Sequence, residues 1–506
     1  MTNQFFADLH SHITLFPYNM GKENTEGMLY SRNPLIREDI AANYTQTDIP
    51  KIIDGGVRIV FASLYPIEKG FMRIRGSDGK LADDVIKLMT NFPQERINEL
   101  QTDSHSYFHD LTLEHAMILN ENEKELNIKC NNTKCKYKIV TNFNDLKQFL
   151  QLDSNYAINN TENKIAIVLT IEGGHSLFPR STEGIKDADD KFEAEINADD
   201  LSNPKTQALL TTIKQNIAWA KSNNIFSLTF AHHFYNYLCG QSISFTQIID
   251  WMLDQEDKSR KGFTAMGKEV VKELMRKDNG QRPIIIDVKH LSIASRQWFY
   301  TQDFTQNIPV IASHTAVNGY KTMNESTVDN DTHTAAQKKY NKSLNYNNWD
   351  LNLSDEEIVI IAKRKGLIGV SVDQRVVMGK QRLDDIKKDN RFNLCNTKKR
   401  NKSWSFPIFD TIIHIATVLN NTPNFPKTEI WDTMTMGSDF DGLINPVNAY
   451  RTVADYPALR DNLLIWFKES RNSADVLIGK TDAELTEIVI KITNKNCIKF
   501  LEQNFV

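Results

Sequence analysis

The chain has 506 residues, with 60 Lys and Arg against 64 Asp and Glu, and is 40% hydrophobic and 25% charged. A net charge of −4 lacks the basic footprint that a phosphate backbone requires, which argues against a dedicated nucleic-acid binder. No run approaches the roughly eighteen apolar residues of a membrane span, and length alone leaves the domain count open because α/β barrels exceed the average domain as single units.

The opening segment has no basic region followed by a long apolar stretch, so no leader peptide is predicted within the chain. Strand one, residues 5–10, leads into Asp8-Leu9-His10-Ser11-His12. Histidines at i and i+2 of an extended segment point to the same side, which suits two imidazoles on one metal. Strand two spans 57–65 and is followed by a polar stretch over 66–163, with helices expected at 82–100 and 110–126. In that stretch His105 and His109 fall one helical turn apart, and with His115 they read as exposed or capping residues.

Strand three, 164–172, ends Thr170-Ile171-Glu172-Gly173-Gly174-His175. Its glycines permit close backbone approach, its carboxylate suits a bridge between two cations, and His175 reads as a brace for the loop. A helix over 205–223 precedes strand four, 225–232, which ends in His232; its neighbour His233 is expected to face away. A helix over 265–277 leads to strand five, 283–290, ending Asp287-Val288-Lys289-His290, and strand six, 309–314, ends Ala312-Ser313-His314. After a polar stretch at 318–349, Ser354 and Glu357 have capping-box spacing at a helix start. Strand seven, 366–372, is followed by a third polar stretch at 373–406. Strand eight, 433–439, runs into Gly437-Ser438-Asp439-Phe440-Asp441-Gly442, with Asp441 orienting the turn, and a last helix starts near Thr481.

Eight apolar runs separated by amphipathic stretches are the pattern of β/α units feeding a buried parallel sheet. The predicted fold is a TIM-type (β/α)8 barrel forming one unit over residues 1–506, with insertions at about 66–163, 318–349 and 373–406 that would wall the active-site face. Five cysteines (Cys130, Cys135, Cys239, Cys395 and Cys497) are too few and scattered for a disulfide framework. With the missing leader they predict a cytoplasmic protein. Cys130 and Cys135 lack a second Cys/His pair and read as two surface thiols or one local disulfide.

Six of the eight strands end in His, Glu or Asp, and in a barrel those positions converge on one face. Taken singly, a strand-end His is most often an ordinary hydrogen-bonded residue, and an Asp before a turn is commonly a cap. Taken together, His10, His12, Glu172, His290, His314 and Asp439 form a thiolate-free nitrogen and oxygen set suited to two divalent ions such as Zn²⁺.

Seven blocks extend this pattern: Ile171 to Leu177, Leu228 to His232, Gly262-Phe263-Thr264 with Gly267, Ile285 to His290, Pro309 to His314, Asn352 to Asp355, and Gly437 to Gly442. In content and order they resemble the membrane (renal) dipeptidase-like metallopeptidases of the amidohydrolase superfamily. The resemblance implies that Glu172 is shared by both metals, that His290 and His314 bind one, and that His10 binds the other. Asp439 then matches an acid/base beside the metals, and His232 a histidine that contacts substrate or tetrahedral intermediate. The implied reaction is hydrolysis of an amide bond, in a dipeptide or similar small molecule, by a metal-bridging hydroxide. The resemblance leaves a homodimer open as the assembly.

Two departures stand out. His12 occupies a position where the family usually has Asp. The family's carboxylate-holding arginine after the sixth-strand His is also missing, because no arginine lies between His314 and Asn352. Lys321, Arg73 and Arg75 are the substitutes considered for substrate binding, although an ammonium is a poor replacement for a bidentate guanidinium. The alternatives are a related barrel acting on a lactone, another amide or a phosphoester, and a non-catalytic metal-binding barrel.

Overall fold

The computed structural model describes residues 5–21, 44–74, 79–102, 104–128, 133–159, 162–180, 196–245, 253, 255, 259–277, 280–329, 345–391 and 397–506. Its strands are β1 (Phe6–Ser11), β2 (Val57–Leu64), β3 (Glu125–Ile128), β4 (Thr133–Ile139), β5 (Lys164–Glu172), β6 (Ser227–Thr229), β7 (Ile285–Asp287), β8 (Ile311–Thr315), β9 (Leu367–Val370) and β10 (Met434–Met436). All but β3 and β4 pair in parallel around a closed ring, in which β2 pairs with β5 and β10 returns to β1 through Asp8 and Met436. This is the TIM-type (β/α)8 barrel, and each predicted strand supplies one of its staves.

Alternation along β5 explains why its sequence reads as unbroken hydrophobicity, since both faces are covered. Ala166 and Val168 join a cluster with Ile59, Phe61, Phe226 and Leu367, while Ile165, Ile167 and Leu169 join the larger cluster that includes helix residues such as Ile213 and Ile217. Phe61 of β2 meets Phe226, just before β6, edge to face at 5.7 Å. Those strands are not neighbours, so the first cluster fills the barrel interior. Phe500 and Phe505 approach the same Phe226 ring, and the last helix, Asn496–Asn504, thereby closes the end of the barrel where the strands begin. Thr170 and Glu172 continue the inward line of β5 to the opposite end.

The stretch after β2 contains more regular structure than its polar composition suggests. The helix expected at 82–100 is two helices, Lys80–Thr90 and Gln94–Gln101, because Asn91 turns left-handed at φ 56° and Pro93 follows two residues later. The helix expected at 110–126 runs over Tyr107–Leu119 and gives way to the antiparallel hairpin of β3 and β4. Strand β4 then lies parallel to the first half of β5, Lys136–Ile139 against Lys164–Ile167, and leaves Thr170–Glu172 for β6. Cys135 on β4 is buried and unpaired, as are Cys239 and Cys497, so it is no surface thiol; Cys130 and Cys395 lie outside the described residues.

Of the other two stretches, 318–349 carries the helix Met323–Asp329, and its residues 330–344 lie outside the described set. The stretch 373–406 holds helices Gln374–Val377 and Lys380–Arg391 and the first turns of Thr397–Asn421. The remaining predicted helices are found at Pro204–Ser222, Ala265–Met275, Asp355–Lys363 and Asp482–Ile490, the last two opened by capping boxes. Among the described residues no helix is long and apolar enough to cross a membrane.

Candidate metal centre

Strands β6, β7 and β10 leave the sheet before their polar residues arrive, and this frees those side chains to turn into the barrel mouth. His232 follows the last residue of β6 by three positions, and His290 and Asp439 stand in the same relation to β7 and β10. His290 and Asp439 adopt left-handed backbone, φ 65° and 64°. The Glu172 turn needs its glycines: Gly173 has φ 85°, and a Cβ there would lie 2.1 Å from the His175 ring. A Cβ on Gly442 would lie 2.2 Å from Asp439 Oδ1 and 2.9 Å from the His12 ring.

The result is a compact array of donors around one carboxylate. His12 Nε2 lies 2.8 Å from Glu172 Oε2, and His10 Nε2 lies 3.4 Å from Glu172 Oε1. His290 and His314 approach Oε1 at 3.8 and 3.7 Å, and His232 Nε2 approaches Oε2 at 3.6 Å. Asp439 Oδ1 is 3.5 Å from His12 Nε2, while its Oδ2 is 3.9 Å from His314 Nε2. Two groups thus share Glu172: His10, His12, Glu172 and Asp439 form one, and Glu172, His290 and His314 the other. All six predicted ligands are brought together.

The chemistry of this array fits cations. Nε2 atoms face one another at 3.2 Å in both the His10–His12 and the His290–His314 pair, so lone pairs meet unless a proton or a cation lies between them. Glu172 Oε1 is buried without a hydrogen-bond donor, a costly arrangement for a carboxylate oxygen. Burial alone would raise Glu172, but the charges of His232, His10 and His12 hold it well below the usual carboxylate range. Burial pulls His12 down, yet Glu172 and Asp439 outweigh it and lift the imidazole to about 10. Burial and neighbouring positive charge push His290 and His314 far down, leaving the neutral imidazoles that metals bind.

Outer partners hold the array. Asp8 accepts from the Ser438 backbone N–H at 2.8 Å and from the Tyr456 hydroxyl at 3.0 Å. Asp287 accepts from the Thr229 hydroxyl and from the backbone N–H groups of Lys289 and Ser313. Asp441 accepts from the backbone N–H groups of Gln46 and Thr47, which ties the Asp439 turn to the segment before β2. His175 meets the Pro66 carbonyl at 2.8 Å and belongs to neither donor group.

Several features were not legible in the sequence. Glu68 receives His232 Nδ1–H at 2.5 Å and the Tyr65 hydroxyl at 3.0 Å on Oε2, and the Phe234 N–H on Oε1. Burial opposes its ionisation, but the charge of His232 holds Glu68 down at about 2. His233 does not face away from His232: the chain has left the strand at that point, the two rings lie 4.0 Å apart, and His233 forms a further donor group with His232 and His290. His105 precedes the helix start and lies 3.2 Å from Asp110, His109 is exposed on the helix, and His115 packs edge-on against Trp219. The group Glu99, His105 and Asp110 is already neutralised by Arg96, which pairs with both carboxylates. Lys321 is exposed after β8, Arg73 is half-buried, and Arg75 lies outside the described residues. A separate cleft of about 250 Å³ opens beside Gly366 and Thr433, at the opposite end of β9 and β10 from the imidazoles.

Neither a protein-family model nor a curated protein matches the sequence. Solved structures align over nearly the whole chain at low identity. A dipeptidase described as a metallopeptidase of family M19 is 14% identical, with TM-score 0.47 and 99% of each chain covered. A metallopeptidase from Rhodobacter sphaeroides, liganded with a phosphinate mimic of the dipeptide L-Ala-D-Ala, is 13% identical, with TM-score 0.49 and 99% of each chain covered. The probable dipeptidase PvdM from Pseudomonas aeruginosa is 14% identical, with TM-score 0.48 and coverage of 99% of this chain and 95% of that one.

Proposed function

We propose that the protein is a metal-dependent hydrolase that cleaves an amide bond in a dipeptide or a similar small amide, using two divalent cations, with zinc the best match to the donor set. The observation that carries this reading is Glu172, a buried carboxylate surrounded by four imidazoles, with His10, His290 and His314 nearest Oε1 and His12 nearest Oε2. His10, His12 and Asp439 would hold one cation, His290 and His314 the other, and Glu172 both. Bound there, the cations would supply a water acidic enough to ionise near neutral pH and a Lewis acid for the amide carbonyl.

The chain's own residues account for the rest. His232 turns Nδ1–H into Glu68, which fixes the ring and leaves Nε2 toward Glu172. A proton on Nε2 then serves as a hydrogen-bond donor to oxygen charge developing at the carbonyl carbon. Asp439, raised by burial and by the charge of Glu172, takes the proton of the attacking water and returns it to the departing amine. Positioned acids and bases of this kind contribute about 10²- to 10⁴-fold.

The experiment is turnover of a dipeptide panel, with L and D residues at the second position, by protein stripped of metal and reloaded with zinc. Amide cleavage that appears only on reloading supports the proposal. Metal binding without turnover of any amide, lactone or phosphoester would favour a binding barrel.

A further inference from the structure

Two cationic side chains at the mouth, Lys289 and Arg375, lie outside the donor groups around Glu172. Lys289 directly precedes His290, is only 2% exposed, and its Nζ has no hydrogen-bond partner. No carboxylate among the described residues lies within ion-pair distance of it, although Asp439 and Asp373 act on it from further away. A buried ammonium without a partner is among the costlier arrangements in a folded chain.

Arg375 lies just past β9. Its Nε and Nη2 grip Asp373 at 2.7 to 3.2 Å, and Nη2 also reaches the Leu443 carbonyl at 3.3 Å. Leu443 follows Gly442, the residue packed on Asp439 and His12, so this guanidinium stands at the rim of the donor array. Its Nη1 has no partner among the described residues, and its side chain is 26% exposed, which leaves one edge open to a ligand. Asp373 links the two side chains, since it pairs with Arg375 and also acts on Lys289.

We propose that Lys289 and Arg375 form an anion-binding subsite beside the metal array, which takes a carboxylate of the substrate with one oxygen toward each side chain. The assignment rests on the hydrolase reading, and it places recognition after the fifth and seventh barrel strands rather than at Lys321, Arg73 or Arg75. Held by Asp373 through Nε and Nη2, the guanidinium presents Nη1 as a fixed charge-assisted donor to complement the Lys289 ammonium.

The test uses zinc-loaded full-length protein and two non-hydrolysable probes: the reduced-bond dipeptide Alaψ(CH2NH)Ala as the free acid, and its C-terminal amide. Titration calorimetry is expected to show the acid binding at least tenfold more tightly than the amide. Lys289→Met and Arg375→Gln should each reduce that ratio to below about threefold, and Arg375→Lys should retain part of it. Met fills the lysine's volume without an unpaired charge, so Lys289→Met stays informative should Arg375→Gln destabilise the chain by stranding Asp373. Equal binding of acid and amide, no binding of the acid, or a preference that survives both Lys289→Met and Arg375→Gln would overturn the subsite. Turnover of Ala-Ala is measured in parallel. Selective binding without turnover would sink the hydrolase reading and keep the subsite, whereas turnover without selectivity would do the reverse.

Discussion

Replacing Glu68 by Gln removes the negative charge from behind His232 while preserving the volume of the side chain. In the parent, the carboxylate receives His232 Nδ1–H and the Tyr65 hydroxyl on one oxygen and the Phe234 N–H on the other. Gln can accept on one atom only, and its amide nitrogen must face a donor. A buried charge-assisted hydrogen bond is worth about 1.5–3 kcal/mol. Losing such a partner behind a site residue lowers activity about 10- to 100-fold, equivalent to roughly 1.4–2.7 kcal/mol. The assay is kcat/KM for the best dipeptide, with metal content by elemental analysis and Tm on the same preparations. Glu68→Gln should lower kcat/KM within that range at unchanged metal content. In a His232→Gln background it should cause little further loss, because a residue that acts through another is not additive with it. A kcat/KM within twofold of the parent, or full additivity with His232→Gln, would refute the role given to Glu68.

Asp439→Asn should retain most of the metal and lose turnover by at least about 10²-fold, whereas Glu172→Gln should reduce metal occupancy itself; elemental analysis beside single-turnover kinetics separates the two, and equal activity of Asp439→Asn and parent would reject the proton shuttle. Chelation should lower Tm and zinc should restore it, since metal at a thousandfold excess over its Kd stabilises by about 4 kcal/mol; a Tm indifferent to chelator would count against tight sites. Burial pulls His115 down to about 4 from its ordinary 6.5, so between those values the unfolded chain binds more protons, and stability present above pH 6.5 is lost as pH falls toward 4, by up to about 3 kcal/mol. His115→Phe keeps a ring against Trp219 and should remove that acid loss in urea titrations at pH 4.5 and 7.5, and an unchanged gap between parent and variant at both pH values would exclude it.

The barrel and its six polar strand ends were legible because both follow from local pattern. Buried parallel strands require uninterrupted apolar runs, and a residue ending such a run has one place to go. The hairpin of β3 and β4 was not legible, since β3 is four residues of alternating exposure in a polar surrounding and gains its place by pairing with β4. His233 was misread because strand alternation was extended beyond Thr229, where β6 ends. Glu68 and Arg375 have no local signature at all. They follow different strands, and it takes the β2–β5 pairing to bring Glu68 to His232 and the β9–β10 pairing to bring Arg375 to the Asp439 turn. A guanidinium need not lie between His314 and Asn352, because the mouth of a barrel gathers loops from all around the ring.

The most direct test of the central claim is anomalous diffraction at the zinc edge from crystals of the reloaded protein. Two peaks about 3.5–4 Å apart, one on each side of the Glu172 carboxylate with His10 and His12 at one and His290 and His314 at the other, are the predicted result. A single peak, or peaks bound away from Glu172, would contradict it.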